Sequence, residues 1–99
     1  MNYFQKVIIK SNENLSRILW TQNGEEIWID TDNSNKEIFL YRKFNSYTND
    51  NIDLYFATDI DTFNKSFQIS HIYKPVIKID LIIEPNQNKF TLYIDDKIK

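Results

Sequence analysis

Residues 16–31, SRILWTQNGEEIWIDT, constrain the fold more than any other stretch of this sequence. Two runs that alternate apolar and polar residues flank Asn23-Gly24, the dipeptide that best adopts the two positive φ angles of a type I′ turn. Such alternation is typical of β-strands, so the stretch predicts a hairpin in which Gln22 faces Glu25. The chain must therefore build a sheet around this hairpin.

The predicted register sorts the side chains of the hairpin onto two faces. One face is apolar and is expected to join the core: Ile18, Trp20, Ile27 and Ile29. The other face mixes apolar and charged side chains: Arg17, Leu19, Thr21, Glu26, Trp28 and Asp30. Arg17 is expected to face Asp30 as a surface ion pair. Trp28 is either a contact residue for a partner or a residue buried under another segment.

Period-2 alternation of β-branched and aromatic residues continues along the rest of the chain. It predicts further strands over residues 3–10, 37–44, 52–58, 76–84 and 90–96. Residues 59–67 have helical spacing and predict one short helix, with Asp59 as its N-cap. Together these elements predict a single globular domain over residues 1–99 that is mainly β. We expect an antiparallel β-sandwich or small barrel of six or seven strands with two hairpins, or alternatively an α+β fold with the helix on one face of the sheet.

The residue types that most catalytic and metal sites use are scarce. The chain has no cysteine, one histidine and one glycine, which excludes thiol catalysis, zinc ribbons and glycine-rich phosphate loops. His71 could act as a general base only beside an activated partner, and it is interpreted as a surface or structural residue. We therefore expect no enzyme activity, no cofactor and no bound metal.

Asp30 and Asp32 open a stretch that matches the start of a calcium-binding loop. An EF-hand loop also needs glycine at its sixth position and an acid at its twelfth, where this chain has Asn35 and Tyr41. Its flanks should be helices, and here they are predicted strands. The stretch is therefore interpreted as an acidic strand end rather than a calcium site.

Acidic residues are concentrated in the middle of the chain. Residues 25–62 contain nine of the fourteen acids but only three of the twelve basic residues, whereas the net charge of the whole chain is −2. An acidic middle disfavours nucleic acid as a partner, because phosphate binding needs a basic stripe, and it favours a basic protein. No apolar run approaches a membrane span or the core of a signal peptide. We therefore expect a cytoplasmic protein that binds neither nucleic acid nor membrane.

The acids and outward aromatic residues of this middle segment make up the predicted partner-binding site: Glu26, Trp28, Asp30, Asp32, Tyr41, Asp53, Tyr55, Asp59 and Asp61. A small β domain with such a surface is similar in size and composition to small immunity proteins, although no diagnostic motif links it to them. We expect a non-catalytic inhibitor of bacterial or phage origin that occludes the active site of a toxin domain, such as a basic nuclease. It would be a monomer or weak dimer when free. The alternatives are a small-ligand-binding β-barrel, a phage anti-defence protein and an assembly protein.

Overall fold

A computed structural model describes residues 3–32 and 38–99, and this part of the chain forms nine β-strands. They are β1 Tyr3–Ser11, β2 Arg17–Gln22, β3 Glu25–Ile29, β4 Ile38–Phe44, β5 Asp50–Ala57, β6 Thr62–Ile69, β7 Val76–Glu84, β8 Lys89–Ile94 and β9 Lys97–Ile98. Sheet A has the order β4-β1-β7-β8-β9, and sheet B has the order β3-β2-β5-β6. The mainly β sandwich predicted from the sequence is therefore confirmed, with two separate sheets rather than one closed sheet.

The hairpin around Asn23-Gly24 has the predicted register. Asn23 and Gly24 have φ angles of 52° and 79°, as a type I′ turn requires. The ladder runs from Gln22 opposite Glu25 to the end of β3. A β-carbon at Gly24 would meet nothing within 4 Å, so backbone conformation alone favours glycine there. We call the end of the sandwich that carries this turn the upper end, and the end that carries residues 58–61 the lower end.

The two sheets bury the inward residues of their strands in one shared hydrophobic core. Ile18 and Trp20 of β2 are fully buried, and Ile27 and Ile29 of the edge strand β3 pack against the same core. All four lie on the face that the alternation assigns to the core. The hairpin therefore contributes its apolar face to the contact between the sheets and leaves its mixed face in solvent.

A cluster of phenylalanine rings joins the two sheets. Phe56 of β5 and Phe63 of β6 stack with ring centroids 5.1 Å apart. Phe90 of β8 packs edge-on against both rings, at 5.0 and 5.2 Å. Because Phe90 belongs to sheet A and the other two rings belong to sheet B, these contacts cross the sandwich. Pairs of this geometry contribute about 0.5–1.5 kcal/mol beyond the area that they bury.

The predicted helix over residues 59–67 is wrong. The hydroxyl of Thr58 accepts a hydrogen bond from the N–H of Asp61 at 3.1 Å, which closes a turn, and β6 begins directly afterwards and pairs with β5. Phe63 and Phe67 are four residues apart, a spacing that fits one face of a helix and also one face of a strand. Both are buried on the inward side of β6. The α+β alternative is therefore wrong for the described residues, which contain no helix.

Sheet A differs from a purely antiparallel sheet at one pair of strands. β1 and β7 run parallel, from Lys6 opposite Val76 to Ser11 opposite Leu81. The strand count exceeds the predicted six or seven because residues 62–69 form a strand and the two-residue β9 follows β8. Residue 37, where the fourth strand was predicted to begin, lies outside the described residues. In residues 3–32 and 38–99 no helix is long and apolar enough to span a membrane.

Candidate functional site

The outward side of sheet B brings together four of the nine predicted contact residues. Glu26 and Trp28 of β3, and Asp53 and Tyr55 of β5, alternate with core residues and point away from the core. Leu19 of β2 lies between the two strands and pairs with both Trp28 and Tyr55. We call these five residues the acidic face. Its apolar side chains form one row across three strands, with a carboxylate beside each end of the row.

Trp28 is the most exposed apolar side chain of the acidic face, with 61% of its surface in solvent. Trp20 of the same hairpin is 0% exposed, so the alternation separates a core tryptophan from a surface one. No segment of the described chain covers Trp28, and the interpretation that it is buried is therefore wrong there. Tryptophan is among the residues most enriched in the few positions that dominate binding energy at protein interfaces.

The second row of the acidic face is polar. Thr21 pairs with Glu26 on one side and with Asp53 on the other. The hydroxyl of Ser66 on β6 donates a hydrogen bond to the Asp53 carboxylate, which restrains that carboxylate while it stays exposed. Negative charge therefore lies directly beside the apolar row. Such an arrangement is complementary to a basic protein surface that also carries apolar groups.

Four more of the predicted residues lie in the loops of the lower end: Asp30, Asp32, Asp59 and Asp61. Ser16 connects the two loops that carry them. Its carbonyl oxygen accepts a hydrogen bond from the Thr31 hydroxyl at 3.2 Å, and its own hydroxyl donates to the Ala57 carbonyl at 3.2 Å. The acids therefore continue the negative charge of the acidic face around the lower edge of sheet B.

The predicted ion pair between Arg17 and Asp30 is wrong. Pairing between β2 and β3 stops at Ile29, so Asp30 is beyond the ladder, and Arg17 lies opposite Ala57 on its other side. The Asp30 carboxylate accepts a hydrogen bond from the N–H of Asp32 at 2.9 Å. The salt bridges of residues 3–32 and 38–99 do not include this pair.

The acidic strand ends of the described residues do not bring metal ligands together. The described residues contain no group of three or more histidine, aspartate or glutamate side chains that could hold a metal ion. Asn35, at the sixth position of the calcium-loop pattern, lies outside the described residues. His71 is exposed, and its Nδ1 lies 2.9 Å from the side-chain oxygen of Asn49. Its neighbour is thus an amide rather than a carboxylate or a nucleophile.

Tyr41 does not belong to the acidic face. β4 joins sheet A, so Tyr41 is exposed on the opposite side of the sandwich, where it lies opposite Lys6 of β1. Its ring packs edge-on against Phe39 at 5.7 Å. The ammonium group of Lys6 lies 4.5 Å from the centre of the Phe39 ring. The predicted site therefore divides into eight residues around sheet B and one residue in a basic environment on sheet A.

The upper end contains a buried polar cluster that the sequence interpretation missed. The Arg42 guanidinium donates from Nη1 to Gln5 Oε1 and from Nε to Gln22 Oε1, each at 2.8 Å. Its Nη2 pairs with the Asp50 carboxylate. Arg42 and Gln5 belong to sheet A, whereas Gln22 and Asp50 belong to sheet B. The cluster therefore joins the sheets at the end opposite the phenylalanine rings.

Burial controls the electrostatics of this cluster. Desolvation lowers the pKa of Arg42, while the charge of Asp50 and its hydrogen bond act in the opposite direction. Every buried side-chain nitrogen and oxygen of the described residues has a hydrogen-bond partner. Arg42 lies at an alternate position of β4 together with the inward residues Leu40 and Phe44. The alternation of the strand therefore predicts that this charged side chain points inward. The guanidinium therefore links residues of three other strands, β1, β2 and β5.

Open clefts occur at both ends of the sandwich. A cleft of about 380 Å³ at the upper end is lined by Gln22 and Lys43 among others, but the Gln22 amide already donates to the Lys43 carbonyl at 2.9 Å. A cleft of about 260 Å³ at the lower end is lined by Glu13, Asp59 and Asp61. The second cleft adds Glu13 to the acids that the sequence pointed to and concentrates negative charge at the lower end.

Comparisons of the chain with protein-family models, with curated proteins and with solved structures each returned no match.

Proposed function

We propose that this protein is a non-catalytic inhibitor that binds a basic protein through the acidic face and the adjoining acids of the lower end. An immunity protein that blocks the active site of a toxin domain, such as a nuclease, is the form of inhibitor that fits best. The observation that carries the proposal is the outward row of exposed Trp28 with half-buried Leu19 and Tyr55, which has carboxylates beside it.

Inhibition would work by occlusion. The carboxylates of Glu26, Asp53 and the lower end attract a basic substrate cleft over several ångströms and increase the rate of encounter. Trp28 and Leu19 then lose their contact with water as the surfaces meet, and this burial supplies most of the affinity. The rigid sandwich behind the face holds these side chains in place before the partner arrives, which lowers the entropic cost of binding.

The first experiment asks whether a toxin exists. The product of the gene adjacent to the coding sequence is expressed alone and together with this protein. The proposal expects growth arrest when the neighbour is expressed alone and normal growth when the two are expressed together. A harmless neighbour that does not bind the purified protein contradicts the immunity form of the proposal.

The second experiment maps the surface by isothermal titration calorimetry with the purified partner. Trp28→Ala should weaken binding by about 30-fold or more, equivalent to about 2 kcal/mol, and Asp53→Lys should weaken it further at low salt. Tyr41→Ala is the matched control, because Tyr41 is 59% exposed but lies on the other sheet. It should change the affinity less than about threefold. Equal losses for Trp28→Ala and Tyr41→Ala would place the interface elsewhere.

A further inference from the structure

The outward side of β1 and β4 is a second surface with its own chemistry. Its members alternate with buried residues along the two strands: Phe4, Lys6, Ile8, Lys10, Phe39, Tyr41 and Lys43. We call these seven residues the basic face. The described outward positions of β1 and β4 include no acidic residue, whereas the acidic face includes no basic one. These two sets of residues therefore carry opposite charge, while Arg17 also lies outward on β2 and Asp80 of β7 lies outward opposite Lys10.

The apolar members of the basic face lie together in the sheet. Ile8 is opposite Phe39, Lys6 is opposite Tyr41, and Phe4 is opposite Lys43. Phe4, Phe39 and Tyr41 are each about half exposed or more, and the Lys6 ammonium lies over the Phe39 ring. A face with this composition favours an occupant that is negatively charged and also offers apolar groups.

The basic face and the acidic face of a second copy are two candidate occupants of the basic face, and their charges distinguish them. A symmetric contact between two basic faces would bring Lys6, Lys10 and Lys43 of both copies together, and like charges in a contact are unfavourable. The acidic face of a second copy offers Glu26 and Asp53 beside an apolar row. Both surfaces are outer faces of β-sheets, and such faces pack against each other at a spacing of about 10 Å.

We infer that the basic face of one copy binds the acidic face of the next, so that the sandwiches stack with sheet A of one molecule on sheet B of its neighbour. This contact is heterologous, so each molecule in a stack keeps one free face of each kind and the stack can grow. The inference does not need the proposed toxin partner, because both surfaces belong to this chain. It does imply that a partner on the acidic face competes with stacking.

Sedimentation equilibrium of the purified chain tests this contact. The average mass should rise above the monomer value of 12.0 kDa as concentration increases. Raising NaCl from about 0.05 to 0.5 M should weaken the association about tenfold or more, since salt screens exposed charges. A mass that stays at the monomer value at millimolar concentration and low salt overturns the inference.

Two variants test which faces meet. The basic-face variant carries Lys6→Glu and Tyr41→Ala, and the acidic-face variant carries Glu26→Lys and Trp28→Ala. Each should remain a monomer by itself, with the circular dichroism spectrum of the original chain. An equimolar mixture retains one intact face of each kind, so it should form a species of twice the monomer mass and no larger one. A mixture that stays monomeric, or a single variant that still associates, overturns the inference.

Other occupants give different outcomes. Vesicles of phosphatidylcholine with phosphatidylglycerol should not bind the chain, and cosedimentation that the basic-face variant abolishes would overturn the inference in favour of an anionic lipid surface. Partner binding in calorimetry is a separate readout. At concentrations where the original chain is a monomer, the basic-face variant should bind a toxin partner as the original chain does, so the failure of stacking and the failure of the inhibitor proposal are distinguishable.

Discussion

The acidic and basic faces differ in charge but hardly in the exposure of their main aromatic residues. Trp28 is 61% exposed and Tyr41 is 59% exposed, and the strands that carry them pack on the same core. β3 and β4 are also consecutive in the chain, within the acidic segment of residues 25–62. They reach opposite sides because the chain crosses from sheet B to sheet A between them. The charge of a segment thus does not determine the charge of the face to which its strands belong.

The largest expected effect tests whether both faces depend on the interior that they share. Trp20 is 0% exposed, so Trp20→Ala should lower the free energy of unfolding by about 4–5 kcal/mol through lost burial and a residual cavity. Trp28→Ala should lower it by less than about 1 kcal/mol, since exposed positions contribute little. Urea denaturation monitored by circular dichroism measures both values. A large loss for Trp28→Ala would show that Trp28 is a core residue and would remove it from the acidic face.

The next effect concerns the polar cluster that joins the sheets at the upper end. Asp50→Ala leaves the Arg42 charge buried without its carboxylate, and the free energy of unfolding should fall by about 3–4 kcal/mol. Asp53→Ala is the control on the same strand, because Asp53 is exposed on the acidic face. It should change stability by less than about 1 kcal/mol. Comparable small losses of stability for both variants would mean that the polar cluster contributes little to the packing of sheet A against sheet B.

Local patterns predicted the local structure well. The alternation in residues 16–31 specified the register of the hairpin and the faces of its side chains, and Asn23-Gly24 specified its turn. The predicted strand over residues 76–84 also matches β7, which stops at Glu84 before Pro85, because proline cannot donate to a ladder. These features depend on neighbours in sequence, and one sequence is enough to determine them.

Features that depend on distant partners were not predictable in the same way. Tyr41 was grouped with the acids in the predicted partner-binding site, although its strand joins sheet A. The sheet that a strand joins depends on long-range pairing, which local patterns do not specify. Residues 59–67 were assigned to a helix, since a spacing of four residues fits a strand equally well. The Asp95-Asp96 turn before β9 was also missed. Both residues have positive φ angles, 48° and 69°, but this dipeptide is not one that marks such a turn.

A smaller effect sharpens the description of the basic face. The ammonium group of Lys6 over the Phe39 ring should contribute about 0.5–1 kcal/mol, the value for exposed cation–π pairs. A double-mutant cycle with Lys6→Met and Phe39→Leu measures this coupling through the free energies of unfolding. Lys10→Met with Phe39→Leu is the control cycle, and its two changes should be additive. Zero coupling in the first cycle would show that Lys6 contributes to the basic face through its charge alone and not through its contact with the Phe39 ring.

The smallest effect is a pH dependence on the sheet A side of the molecule. Burial raises the pKa of Asp95, but the hydrogen bonds and charges of Lys74 and Lys78 outweigh it and hold the pKa below its ordinary value. The Asp95 carboxylate accepts from Lys74 Nζ at 2.7 Å and from the Lys78 N–H at 3.0 Å. A lowered folded-state pKa stabilises the fold above the unfolded-state value, near pH 4. This stabilisation is lost as the pH falls through the folded-state value.

The Asp95→Asn variant tests this pH dependence, because asparagine tolerates the positive φ angle at this position while it cannot ionise. Melting temperatures measured from pH 7 down to about pH 2 should fall less steeply below about pH 4 in the variant than in the original chain. Lys74→Met should flatten the profile partly, since it removes one of the two interactions and leaves the backbone hydrogen bond. Identical profiles for all three proteins would show that Asp95 does not link the stability of sheet A to pH. The acid response of the molecule would then have to arise from other carboxylates, such as Asp80 of β7 or those around sheet B.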